Sequence, residues 1–164
     1  MQEYTVKVFN NRTEWYQNGK LHRTDGPAIE YVGGTKYWYQ KGKLHRLDGP
    51  AVENRGGSKE WHQNGRHHRL DGPAIEWSDG GKSWYQNGEL HRTDGPAIET
   101  SNNGKFWFQN GQRHRLDGPA IEFVDGSVQY WENGVLIPNP NEAKEMTVAE
   151  IAKELGYNVK IIKG

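Results

Sequence analysis

The 164 residues suffice for one ordinary domain, and 21 Lys and Arg balance 21 Asp and Glu. A neutral chain lacks the positive field that nucleic acid or an anionic membrane surface would select, and no stretch is apolar for long enough to cross a bilayer. The absence of cysteine excludes disulfides, thiolate catalysis and cysteine-type zinc sites; with an N-terminus (MQEYTVKVFNNR) that has no apolar leader core, the chain reads as a soluble cytoplasmic protein.

Mean hydropathy is −1.03 and only 33% of residues are apolar, yet 12% are aromatic and 21 are glycine. Disordered chains are poor in aromatics. The composition therefore predicts a thin fold with much exposed surface, packed by aromatic rather than aliphatic side chains.

From the N-terminus onward the chain repeats with a period of 23: an Asn-Gly or Lys-Gly pair ends at Gly19, Gly42, Gly65, Gly88, Gly111 and Gly134. Four residues before each glycine stands an aromatic: Trp15, Trp38, Trp61, Trp84, Trp107, then Tyr130. The next position is Tyr16, Tyr39, His62, Tyr85, Phe108 and Trp131. The first unit, YTVKVFNNRTEW, keeps the register of PAIEYVGGTKYW without its DGPA, and the last, YWENGVLIPNP, lacks HRxDGPA. Atypical end units fit a capped repeat array.

Within a unit, PAIEY alternates, VGG is a turn, KYWYQ is rich in β-formers and NG closes it. Residues 27–31 and 36–40 are expected to be the two arms of a hairpin, with KLHRxD linking it to the next. The predicted fold is mainly β. About six repeated hairpins form a single elongated, twisted antiparallel sheet over residues 1–137. A linker, a short C-terminal α-helix and a strand follow as a cap over 138–164. Alternation along a strand sends Trp38 and Tyr39 to opposite faces. The indoles of Trp15, Trp38, Trp61, Trp84 and Trp107 are expected to form the packed inner side. The strip of Tyr16, Tyr39, Tyr85, Phe108 and Trp131 would then be left uncovered, as a binding face.

In the tail, Asn139-Pro140-Asn141 breaks the array and Thr147-Val148-Ala149-Glu150 is a capping box. Val148, Ile151, Ala152 and Leu155 share one helical face, Gly156 stops the helix, and 158–163 reads as a strand. So short a helix is expected to dock on the sheet's open face or its last edge, as a cap against strand-to-strand aggregation, with a partner-binding helix as the alternative.

His, Arg and Asp stand together in HRTDGP or HRLDGP five times. An enzyme needs one preorganised pocket, and no serine or cysteine recurs beside the motif. Neighbouring units hold their histidines roughly 10 Å apart, too far to share a metal ion. No catalytic residue, metal site or cofactor is expected, and the isolated His62 and His67 read as solvated surface residues. The motif reads instead as fold hardware. Asp25, Asp48, Asp71, Asp94 and Asp117 would bond turn amides, the glycine would take positive φ, and the arginines would fork onto carboxylates within and between units. Each motif histidine would pack beside an aromatic. A second reading makes Arg23, Arg46, Arg69, Arg92 and Arg115 a row that collects a small anion.

The stretch WYQNGKLHRTDGPAIEYVGG resembles a MORN-type repeat, in which an aromatic, NGK, a His-Gly-containing segment and a DG turn recur. The resemblance rests on Trp38, Gly42, Lys43, His45, Gly49 and Asp79-Gly80 with their equivalents; R-x-D-G-P-A replaces the family's second glycine pair. That variant, with its TVAEIAKELGYNVKIIK tail, resembles repeat proteins encoded by bacteriophages. The resemblance implies a non-enzymatic scaffold or interaction module with a protein partner: a second copy in a homodimer, or a host defence protein bound in the host cytoplasm. The alternative is a sponge for a small anionic ligand such as a signalling nucleotide.

Overall fold

The computed structural model describes residues 3–142 and 146–156, so the strand expected over 158–163 lies outside the described residues. Every NG or KG pair is a tight turn with two successive left-handed residues: Asn18, Lys41, Asn64, Asn87, Asn110 and Asn133 lie at φ 48–54° and the following glycines at φ 72–92°. This is the type I′ geometry that matches strand twist and favours Asn-Gly. Lys41 is the one non-Asn residue among these six positions. Lys41→Asn is therefore expected to raise stability by about 0.5–1 kcal/mol, measured as an increased urea midpoint at unchanged slope.

One long antiparallel sheet runs the length of the array with its strands in sequence order. It begins Thr5–Val8, Arg12–Gln17, Ile29–Tyr31, Lys36–Tyr37 and Val52–Glu53, and it ends Ile121–Glu122, Val128–Glu132 and Val135–Ile137. In the four internal units the arm expected over 36–40 is broken at its tryptophan. Lys36–Tyr37 pairs with Val52–Glu53 in the long sheet, whereas Tyr39–Gln40 folds back onto Lys43–Leu44 in a hairpin of its own. The KL segment is thus a strand rather than a link. Backbone partners explain the break: the Trp38 N–H donates to the Ala51 carbonyl (2.8 Å), while the Trp38 carbonyl accepts from His45 N–H (3.0 Å). In the end units, Arg12–Gln17 and Val128–Glu132 run through without interruption.

The packed interior is aliphatic and small, contrary to the indole core expected from composition. The alanines of the DGPA motifs, Ala28, Ala51, Ala74, Ala97 and Ala120, are fully buried at 0% exposure, with Val52, Ile75 and Ile121 beside them. The motif tryptophans are only half-buried. The alanine methyl takes the inner position, and the indole lies beneath its arginine at the groove between loops.

The helix Val148–Leu155 forms with both capping-box bonds, and Gly156 closes it at φ 68°. It buries none of its residues, and Leu155 stays 51% exposed. Val135 and Leu136 of the last strand are 63% and 57% exposed. Among the described residues, the helix therefore does not cover this edge as expected. No helix among the described residues is long and apolar enough to cross a membrane.

Candidate binding surface

The arginine of each HRxDGPA motif is the hub of its loop. Arg69 Nε donates to Asp71 Oδ1 (3.0 Å), and its NH1 donates to the Pro73 carbonyl (3.2 Å) and Glu76 Oε1 (3.1 Å). Its guanidinium stacks on Trp61 at 4.0 Å from the ring centroid. Arg46, Arg92 and Arg115 repeat these partners on Trp38, Trp84 and Trp107. Arg23 stacks on Trp15 and binds Asp25 and the Pro27 carbonyl, but Glu30 pairs with Lys36 instead. The Arg–Asp pair closes within one loop, whereas the Arg–Glu pair joins that loop to the first strand of the following hairpin.

Two details of the loop differ from expectation, and a third was not foreseen. The aspartates take the arginine Nε as principal partner rather than a neighbouring turn amide, and these bonds hold their carboxyls below the ordinary value. The motif glycines are absent from the positive-φ residues. Glycine is needed for space, because a Cβ at Gly49 or Gly72 would stand 2.9 or 3.0 Å from the arginine Cζ. The histidines act between units: His45 Nδ1 accepts the Asn64 N–H (3.1 Å), as His22, His68, His91 and His114 do from Lys41, Asn87, Asn110 and Asn133. Each imidazole thus ties its unit to the type I′ turn of the next.

Between consecutive loops lie four equivalent grooves of about 530–580 Å³. Each has a tryptophan and a glutamine on its floor and an Arg-x-Asp segment on either wall. The rims carry side chains that the sequence reading passed over, the x of HRxDGPA. Leu47, Leu70 and Leu116 are 74–77% exposed, with Thr24 and Thr93 in the equivalent places. Beside them Asp25, Asp48, Asp71, Asp94 and Asp117 are exposed. In four units one arginine faces two carboxylates, so the local balance is acidic.

The aromatic strip lies on the turn hairpins and is half-buried throughout, not uncovered. Tyr16 donates to Glu14, and Trp131 Nε1 donates to Gln129 Oε1 (3.0 Å). Burial raises the phenol pKa of Tyr39 and of Tyr85. Arg113 lies over both Phe108 and Trp131.

In the third unit the strip is interrupted. His62 is buried, and His67 is half-buried opposite it across the turn hairpin. Both Nε2 atoms reach one oxygen of Glu60, at 3.0 and 2.9 Å. These bonds, His62 first, hold the Glu60 carboxyl down at about 2 against the opposing effect of burial. The two histidines are therefore not the solvated residues expected; the available signal was the string EWHQNGRHH, where the first and fourth units read xWYQNGxLH.

Fold and surface together define the class: a linear array of β-hairpin units, each braced by an arginine on an indole and tied to the next by a histidine. No protein-family model and no curated protein matches the sequence.

Proposed function

We propose that the chain is a non-enzymatic, MORN-like interaction module whose grooved face holds an extended segment of another protein. The observation that carries this reading is the recurrence of one open groove at each unit boundary, with an indole floor and a rim of exposed leucine and aspartate. Consecutive equivalent grooves suit a partner that is itself extended. Indole and leucine offer apolar anchors, and the aspartate row favours lysine or arginine on the partner. The likeness of the HRxDGPA variant to phage-encoded repeat proteins makes a host protein, met in the host cytoplasm and blocked by occlusion, the partner we infer. The sponge reading draws less support. The arginines that would hold an anion are engaged by carboxylates and a backbone carbonyl, and the two arginines that line each groove are matched by two aspartates.

The test is affinity capture from host extract followed by native mass spectrometry, comparing the natural protein with Leu47→Ser/Leu70→Ser/Leu116→Ser. These side chains are largely exposed, so the variant should unfold within about 0.5 kcal/mol of the parent while losing its captured polypeptide. Undiminished capture by the folded triple variant would remove the grooved face from the proposal. A ligand of nucleotide size released on denaturation would favour the sponge.

A further inference from the structure

The repeat is broken at one place in a chemically coherent way. Where other units carry Tyr, Phe or Trp, the third carries His62; where four of them carry Leu21, Leu44, Leu90 or Leu136, it carries His67. The turn register pairs His62 with His67, and their rings lie 4.0 Å apart, centroid to centroid. Glu60, on the long sheet, brings Oε2 within 3.0 Å of both Nε2 atoms. The three donor atoms all lie within 4.8 Å of one another. Among the described residues this is the one group of three or more His, Cys, Asp or Glu side chains so arranged.

We propose that Glu60, His62 and His67 bind one divalent transition-metal ion, with zinc the best fit, through Oε2 and the two Nε2 atoms. Two imidazoles and a carboxylate are a donor set that zinc takes in three-ligand sites, and imidazole disfavours magnesium and calcium. Metal–ligand lengths of about 2.0–2.2 Å place tetrahedral donors roughly 3.3 Å apart, so the present contacts need to open by only a few tenths of an ångström. Glu60 and His67 have room to do so, with side chains 26% and 30% exposed, and solvent on that side can occupy the fourth position. His62, 6% exposed, is the fixed member. In the metal-free form the Glu60 carboxylate accepts from each imidazole whose Nε2 carries a proton. Binding moves that proton to Nδ1, so Nε2 can donate its lone pair. The Nδ1 of His62 is buried without a hydrogen-bond partner, which leaves the ring without the outer-shell acceptor that strengthens metal ligands. The affinity expected is accordingly micromolar. Glu60 stands on the long sheet and both histidines on the turn hairpin, so the ion would staple the two layers of this unit.

The experiment uses untagged, chelator-treated protein titrated with zinc chloride by calorimetry, and with cobalt chloride by visible absorption. One ion per chain, the absorption of tetrahedral cobalt and a Tm rise of roughly 5–10 °C at saturating zinc are expected. His62→Tyr/His67→Leu installs the residues of the next unit, Tyr85 and Leu90; it should fold and take up no ion at this site. Glu60→Gln keeps the shape and should bind at least about tenfold more weakly, which preserves the test if the double variant folds poorly. No zinc uptake by the natural protein, or equal uptake by the folded variants, would overturn the proposal; equal uptake would mean that the ion binds elsewhere.

Discussion

Arg69→Ala is expected to lower the free energy of unfolding by about 3 kcal/mol, measured by urea denaturation. The side chain is 21% exposed, so its interactions are partly shielded from solvent. Its removal forfeits the stacking on Trp61 and the bonds to Glu76 and the Pro73 carbonyl, and it uncovers half-buried indole surface. The pair with Asp71 adds little, because that carboxylate is 84% exposed and screened. Asp71→Ala should accordingly leave the midpoint nearly unchanged. Arg69→Lys keeps the charge but loses the planar fork, and should recover only a minor part of the loss. Arg23→Ala should cost less than Arg69→Ala, since Arg23 lacks the second carboxylate partner in the first unit. Equal losses at Arg69 and Asp71 would show that the ion pair, rather than the stacked and shielded hub, carries the energy.

Ala74→Leu is expected to cost about 2–3 kcal/mol by overpacking. Ala74 is 0% exposed, and its carbonyl receives the Trp61 N–H at 2.8 Å, so the added carbons must part the bend from the long sheet. In a linear array each unit leans only on its neighbours. Damage in this middle unit should therefore also flatten the unfolding transition, as the two halves begin to melt separately. A loss under about 0.5 kcal/mol with an unchanged slope would mean that the alanine row has space the packing does not show.

The hairpin period, the type I′ turns, the long sheet and the helix with its cap were legible because each depends on short-range chemistry. Asn-Gly dictates its own backbone, alternation dictates a strand, and Thr147 with Glu150 dictates a helix start. The break at Trp38 was not legible, because it arises where one backbone changes hydrogen-bond partners between two layers. Composition misled because it counts ring area but does not say which position faces inward; that position is the alanine of DGPA. The arginine, histidine and glycine roles depend on pairings seven, eight or nineteen residues apart, such as Arg46 with Glu53 and with Trp38, and His45 with Asn64. The HRxDGPA string was read as fold hardware, and its arginines and histidines do bond to neighbouring groups of the array, in roles that partly differ from those expected. The grooves escaped notice because their rims use the motif's variable position. Glu60, His62 and His67 could have been found from the single unit that abandons the aromatic pattern.

The most direct test of the central claim is hydrogen–deuterium exchange of the protein alone and with its captured partner. The grooved face predicts protection that recurs at residues 23–27, 46–50, 69–73, 92–96 and 115–119. Protection confined to the turn hairpins bearing Tyr39, Tyr85 and Phe108, or to a single unit, would contradict it.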